Sequence, residues 1–139
     1  MGRVLRDGRR SAFPTPVGVK LALVAEDDDE LRGALQMLLE DHGFAVFAAR
    51  NGADAIAQLS FMPRPDVVVT DCLMPLASGL ELVARLRAMP GCATTPVVLL
   101  TVVTDALIDS DKHVRVLHKP IDVDDLLSAV HEVTRDTAC

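Results

Sequence analysis

The chain has 139 residues, 50% hydrophobic and 24% charged, and its 14 basic and 20 acidic side chains leave a net charge of −6. That length suits one domain with a real core. No apolar run approaches the ~20 residues of a membrane span, and Met1–Lys20 lacks the apolar stretch of a secretory leader. The acidic balance and the absence of Trp and Tyr argue against a nucleic-acid partner, which leaves a basic footprint and uses aromatic stacking. Cys72, Cys92 and Cys139 are widely spaced and odd in number, which suits a reduced cytoplasm better than a disulfide framework.

Residues 1–19 carry Arg3, Arg6, Arg9 and Arg10 without periodicity and read as a flexible basic extension. From residue 20 to 135, short β-rich runs alternate with helical patterns, the signature of βα units and a parallel sheet. Leu21–Ala25 is the first strand. Leu31, Ala34, Leu35, Leu38 and Leu39 follow it at i, i+3, i+4 spacing, which predicts one apolar helix face. Asp27 or Asp28 can cap that helix, and Gly43 offers a left-handed stop. Ala45–Ala48 reads as a second strand, and Asn51-Gly52 opens a helix with Ala55, Ile56 and Leu59 inward.

Asp66–Thr70 is a third strand whose unbroken valines predict burial on both faces. Gly79–Met89 is helical, with Leu82, Val83 and Leu86 inward. Pro96–Leu100 and Val114–His118 are the fourth and fifth strands. Thr104–His113 between them is acidic and supports two helical turns at most. The last helix starts near Asp122 with Leu126, Ala129, Val130 and Val133 inward, and residues 136–139 form a tail.

The chemistry gathers where strands stop. Asp27, Asp71, Thr101 and Lys119 each lie at or just past the end of an apolar run, and parallel strands of an open α/β sheet end on one rim where ligands bind. Two carboxylates, a hydroxyl and a cation there describe a site for a divalent metal and a phosphoryl group. With Glu26 beside Asp27, the oxygen-rich set suits Mg²⁺, which retains several waters and shares phosphate oxygens. Taken singly, Asp27 and Asp28 are ordinary helix caps, Lys119-Pro120 a strand-end turn and Thr101 a strand-capping hydroxyl. Their joint occurrence carries the argument.

The segments Leu23-Val24-Ala25-Glu26-Asp27-Asp28, Val67–Pro75 with Gly79, Pro96–Thr101 and Lys119-Pro120 resemble the receiver domain of bacterial two-component response regulators. The resemblance covers about residues 20–135. It implies a doubly wound, flavodoxin-like α/β fold with five parallel strands in the order 2-1-3-4-5, here with a shortened fourth helix. It implies that Asp71 accepts a phosphoryl group from a sensor histidine kinase or a histidine phosphotransfer protein. Glu26, Asp27, Asp71 and the backbone carbonyl of Leu73 would hold Mg²⁺. Thr101 would bind the phosphoryl group through its hydroxyl, and Lys119 would pair first with Asp71 and then with a phosphoryl oxygen. A cis bond is common after that lysine, and Pro120 lowers its cost to about 0.5–1 kcal/mol.

The chain departs from the pattern in places. Val102 replaces the usual small residue after Thr101, which predicts narrowed access. Val116 stands where a switch aromatic is usual, so coupling of that ring to Thr101 is lost. Leu73 and Val103 are apolar where water-orienting side chains are common, which predicts a long-lived phosphate. The short stretch from Thr101 to Lys119 alters the usual dimer face, leaving a monomer or weak dimer as the expectation.

Few residues follow the last helix, so the expectation is a stand-alone receiver acting on a downstream protein target. It would catalyse only its own phosphorylation and dephosphorylation. The rival reading is a pseudo-receiver that is never phosphorylated and serves as a constitutive interaction or dimerisation module. A phosphatase of the haloacid dehalogenase type is disfavoured because Asp71-Cys72-Leu73 lacks a second carboxylate.

Overall fold

The computed structural model describes residues 19–74, 76–102 and 111–136. Strands and helices alternate through it: β1 (Lys20–Ala25), α1 (Asp29–Asp41), β2 (Phe44–Ala49), α2 (Gly52–Leu59), β3 (Val67–Asp71), α3 (Gly79–Ala88), β4 (Val97–Thr101), β5 (Val114–His118) and α4 (Val123–Asp136). The five strands form one parallel sheet in the order β2-β1-β3-β4-β5. The strand order therefore reverses between β1 and β3, and that reversal opens a crevice at the carboxyl ends of the strands.

Local chemistry sets the boundaries. The side chains of Asp28, Asn51 and Ser78 accept hydrogen bonds from the backbone N–H groups of Leu31, Asp54 and Glu81, capping α1, α2 and α3. Asp122 does the same for Asp124 and Asp125 at the start of α4. Gly43, with φ +91°, turns the chain out of α1 toward β2.

The alternation of side chains along the strands divides the core into two layers. Ala22, Val24, Val67, Val69, Val98 and Leu100 pack with Leu35 and Leu39 of α1 and with Leu126, Ala129 and Val130 of α4. Leu23, Ala25, Val68 and Val97 pack on the other face with Ala55 and Leu59 of α2 and with Leu82, Val83 and Leu86 of α3. Every residue of β3 and β4 is buried, as the unbroken valine run predicts. Arg87 ties the end of α3 to the turn before β5, donating to Asp111 at 2.8 Å and to the Cys92 carbonyl at 3.1 Å.

The elements differ from the expected ones mainly at their ends. Asp71 is the last rung of β3, paired with Leu100, rather than a residue beyond the strand. Thr101 likewise closes β4 in register with His118. The ladder continues because buried backbone N–H and C=O groups need partners up to the rim. Asp111–His113 form a turn rather than the tail of a helix. The rest of the segment expected to hold a shortened fourth helix, residues 104–110 with Leu107 and Ile108, lies outside the described residues, as do Val103, most of the basic extension and residues 137–139.

Candidate functional site

Glu26 stands immediately after β1, and its backbone N–H donates to the Ala49 carbonyl at 3.0 Å, which extends the ladder toward β2 by one rung. The side chain is thereby drawn under the rim and has no solvent exposure. Its Oε2 accepts the Asp28 N–H at 3.0 Å, while Arg32 of α1 donates to the Glu26 carbonyl at 3.0 Å. Asp27, next along, faces solvent.

Asp71 reaches the same place from β3 and is 2% exposed. Gly79 makes this possible: a Cβ there would lie 2.0 Å from the Asp71 carbonyl oxygen. Its N–H also donates to the Cys72 carbonyl at 2.8 Å, drawing the start of α3 against the end of β3. Gly52 performs a similar service at the head of α2, where a Cβ would meet the Ala77 carbonyl at 2.0 Å. Leu76, between these two close approaches, has a φ of 72°.

Lys119 completes the cluster from just beyond β5. Its N–H donates to the Thr101 carbonyl at 2.7 Å, which anchors it to the end of β4. The Lys119–Pro120 bond is cis. The ammonium lies 2.6 Å from Asp71 Oδ1 and 3.3 Å from Glu26 Oε1. No well-directed hydrogen bond reaches Asp71 Oδ1, so Lys119 balances that oxygen by proximity as a point charge. Thr101, on the strand beside β3, is 6% exposed.

The electrostatics follow from this crowding. Burial, reinforced by the neighbouring Glu26 carboxyl, pushes Asp71 up to about 8, and Lys119 offsets only part of the rise. Asp27 is held below its usual range: slight burial opposes the shift, but hydrogen bonding with Glu26 and Asp71 and the Lys119 charge outweigh it. Lys119 is raised because the attraction of Asp71 and Glu26 exceeds the effect of its own burial.

Among the described residues, Glu26, Asp27 and Asp71 form the single group of three potential ligands whose donor atoms lie within 4.8 Å of one another. All the donors are hard oxygens, and exposed Asp27 leaves one side open to water. That set fits Mg²⁺, which keeps part of its water shell. The apolar side chains of Leu73, Leu76 and Val102 around the mouth are 67%, 79% and 71% exposed.

The sequence-predicted residues Glu26, Asp27, Asp71 and Lys119 therefore meet, with Thr101 on the adjoining strand end. Sequence reasoning overlooked Arg32, which holds the Glu26 carbonyl, and the packing role of Gly52, read only as a helix opener. An Asn-Gly pair before a helix carries no signal that a distant carbonyl needs that space.

Residues 22–131 match the family described as response regulator receiver domain. The chain is 36% identical over 122 residues to the "Probable transcriptional regulator ycf29" of Pyropia yezoensis, a match covering 84% of this chain and 54% of that protein. It is 31% identical over 115 residues to "Protein PilH" of Pseudomonas aeruginosa, covering 80% of this chain and 94% of that protein. Among solved structures, the signal receiver domain of a signal transduction histidine kinase from Syntrophus aciditrophicus superposes with a TM-score of 0.75 at 30% identity, covering 86% of this chain and 93% of that chain. The chain thus spans about half the length of the first of these relatives and nearly all of PilH.

Proposed function

The chain belongs to the response regulator receiver domain family, and we propose that it is a stand-alone receiver phosphorylated on Asp71. The observation that carries this reading is the convergence of buried Asp71 with the Glu26 and Asp27 carboxylates within 4.8 Å and with the Lys119 ammonium at 2.6 Å. A nucleophilic carboxylate, an oxygen-rich metal cradle and a compact cation are the parts that phosphoryl transfer uses. The near-complete coverage of PilH supports the stand-alone form.

The donor is a sensor histidine kinase or a histidine phosphotransfer protein. A carboxylate oxygen of Asp71 attacks the phosphorus of phosphohistidine, the P–N bond breaks, and the electron pair leaves with the imidazole. Glu26, Asp27, Asp71 and the Leu73 carbonyl would hold Mg²⁺, which when bound would supply positive charge against the transferring phosphoryl oxygens. Lys119 moves its pairing from Asp71 to a phosphoryl oxygen, and the Thr101 hydroxyl donates to another. The added charge and acceptor oxygens then bias nearby loops toward a downstream protein target.

The chain acts on no other substrate and works in the cytoplasm. No described helix is long and apolar enough to cross a membrane. With the Leu73 side chain offering no polar group to orient a water near the phosphate, the modified state is long-lived.

The test is incubation with Mg²⁺ and acetyl phosphate, followed by intact-mass measurement. One phosphoryl group is expected on the native chain and none on Asp71→Asn. No mass shift, together with no Mg²⁺ binding in the millimolar range, would instead favour the constitutive interaction module.

A further inference from the structure

The four histidines share no metal-ligand spacing in the sequence, yet two of them meet on the α1–α4 side of the sheet. His42 caps the C-terminus of α1 and His131 lies on α4. Their ring centres are 6.1 Å apart in an edge-on arrangement with an interplanar angle of 65°. Both line an open cleft of about 600 Å³ together with Asp124, Leu127, Ser128 and Glu132. We propose that His42 and His131 form a second metal site, separate from the acidic rim, for a transition-metal dication of the Zn²⁺, Ni²⁺ or Cu²⁺ class.

The local chemistry prepares His42 for this role. Its Nδ1 lies 2.9 Å from the Leu38 carbonyl oxygen. A carbonyl can only accept, so Nδ1 carries the proton, which leaves Nε2 as the ring nitrogen available to a metal. A ring fixed in this way by a backbone carbonyl is the usual arrangement of a metal-binding imidazole. With metal–nitrogen bonds of about 2.0–2.1 Å, two imidazoles on one ion place their ring centres roughly 5–6 Å apart. Both residues are exposed, so rotation of the His131 side chain can bring the rings to that spacing while His42 keeps its bond to Leu38.

The surrounding charge favours a cation. The last turn of α1 contains no basic residue, and a helix C-terminus carries partial negative charge. Glu40 and Asp41 lie in that turn. Asp124 adds a carboxylate to the cleft, and Glu132 adds another that is already paired with Arg115 at 2.7 Å. Two imidazoles with water completing the shell, and Asp124 in the same cleft, select zinc, nickel or copper over magnesium, whereas the all-oxygen rim selects the reverse. The sites are also apart in space: α1 starts beside the rim, and its 13 residues carry the chain about 20 Å before His42.

The experiment is calorimetric titration of the full chain with Zn²⁺ in saturating Mg²⁺ and a non-thiol reductant, repeated for His42→Gln, His131→Gln and Asp71→Asn. One site is expected in the native chain and unchanged in Asp71→Asn, with each histidine variant weakening it by about tenfold or more. Cu²⁺ in the same protein should show electron-paramagnetic coupling to two imidazole nitrogens, reduced in either variant. Circular dichroism checks that both variants remain folded. Undiminished binding in folded histidine variants, loss of binding in Asp71→Asn, or no binding up to millimolar Zn²⁺ would each overturn the proposal.

Discussion

Strands β3 and β5 run to the same rim in contrasting surroundings. All of Val67–Asp71 is buried, with helices on both faces, whereas Val114–His118 on the sheet edge mixes partly buried and exposed residues. The central strand delivers a carboxylate, the edge strand a cation. At the centre, desolvation makes the ionised form of Asp71 costly and lifts its pKa. At the edge, Lys119 keeps a quarter of its side chain exposed and can remain charged while shifting between oxygen partners. The site thus joins a fixed acid to a more adjustable counterion, and their difference in burial separates those roles.

That comparison can be broken by truncating each side. Leu99 in β4 is fully buried, and Leu99→Ala should cost about 2–5 kcal/mol of stability in chemical denaturation. Leu117 in β5 is only partly buried, and Leu117→Ala should cost roughly half as much by the same measurement. Equal losses would show that the edge strand is as tightly held as the centre.

The next largest effect concerns the seat of Asp71. Gly79→Ala would place a Cβ against the Asp71 backbone carbonyl, and backbone cannot swing aside as a flexible side chain can. We expect destabilisation of about 1–3 kcal/mol, with phosphoacceptance reduced beyond what the unfolded fraction explains. Native-like labelling by acetyl phosphate would show that β3 yields more readily than its burial implies.

Titration tests the electrostatic half of the comparison. Asp71 has its pKa raised from 3.8 to about 8 in the metal-free protein, so the folded state holds a proton that the unfolded state releases. Stability should therefore fall as pH rises from about 4 to about 8 and then level off, a trend absent in Asp71→Asn. Mg²⁺ must displace that proton, so its affinity should increase by up to about tenfold per pH unit below 8 and flatten above. Calorimetry across that range reads both, and a pH-independent Mg²⁺ affinity would mean that Lys119 fully offsets the burial of Asp71.

The smallest effect lies at the mouth. Leu76 occupies the left-handed region at φ 72° while its side chain is 79% exposed. Leu76→Asn should relieve the backbone without losing buried area, raising stability by about 1 kcal/mol and the Tm by a few degrees. A lowered Tm would show that Leu76 makes a packing contribution despite its exposure.

Much of this molecule is legible along the chain. The apolar spacing of Leu35 and Leu39, the Asp28, Asn51 and Ser78 caps and the valine run of β3 are local signals, because each helix or strand buries its own period of side chains. The polar residues at the strand ends are legible for the same reason. A hydrophobic run that stops at Asp27, Asp71, Thr101 or Lys119 announces the rim before any neighbour is known.

Tertiary structure decided what those residues meet. Glu26 and Lys119, 93 positions apart, touch only because β5 reaches the rim beside β4. The raised pKa of Asp71 comes from burial, which its valine run announces, and from Glu26, which its own segment does not encode. His42 and His131 come together because α1 and α4 cover the same face of the sheet. Periodicity determines which side of an element turns inward, but desolvation and charge pairing depend on through-space neighbours, and those are set when the strands assemble in the order β2-β1-β3-β4-β5.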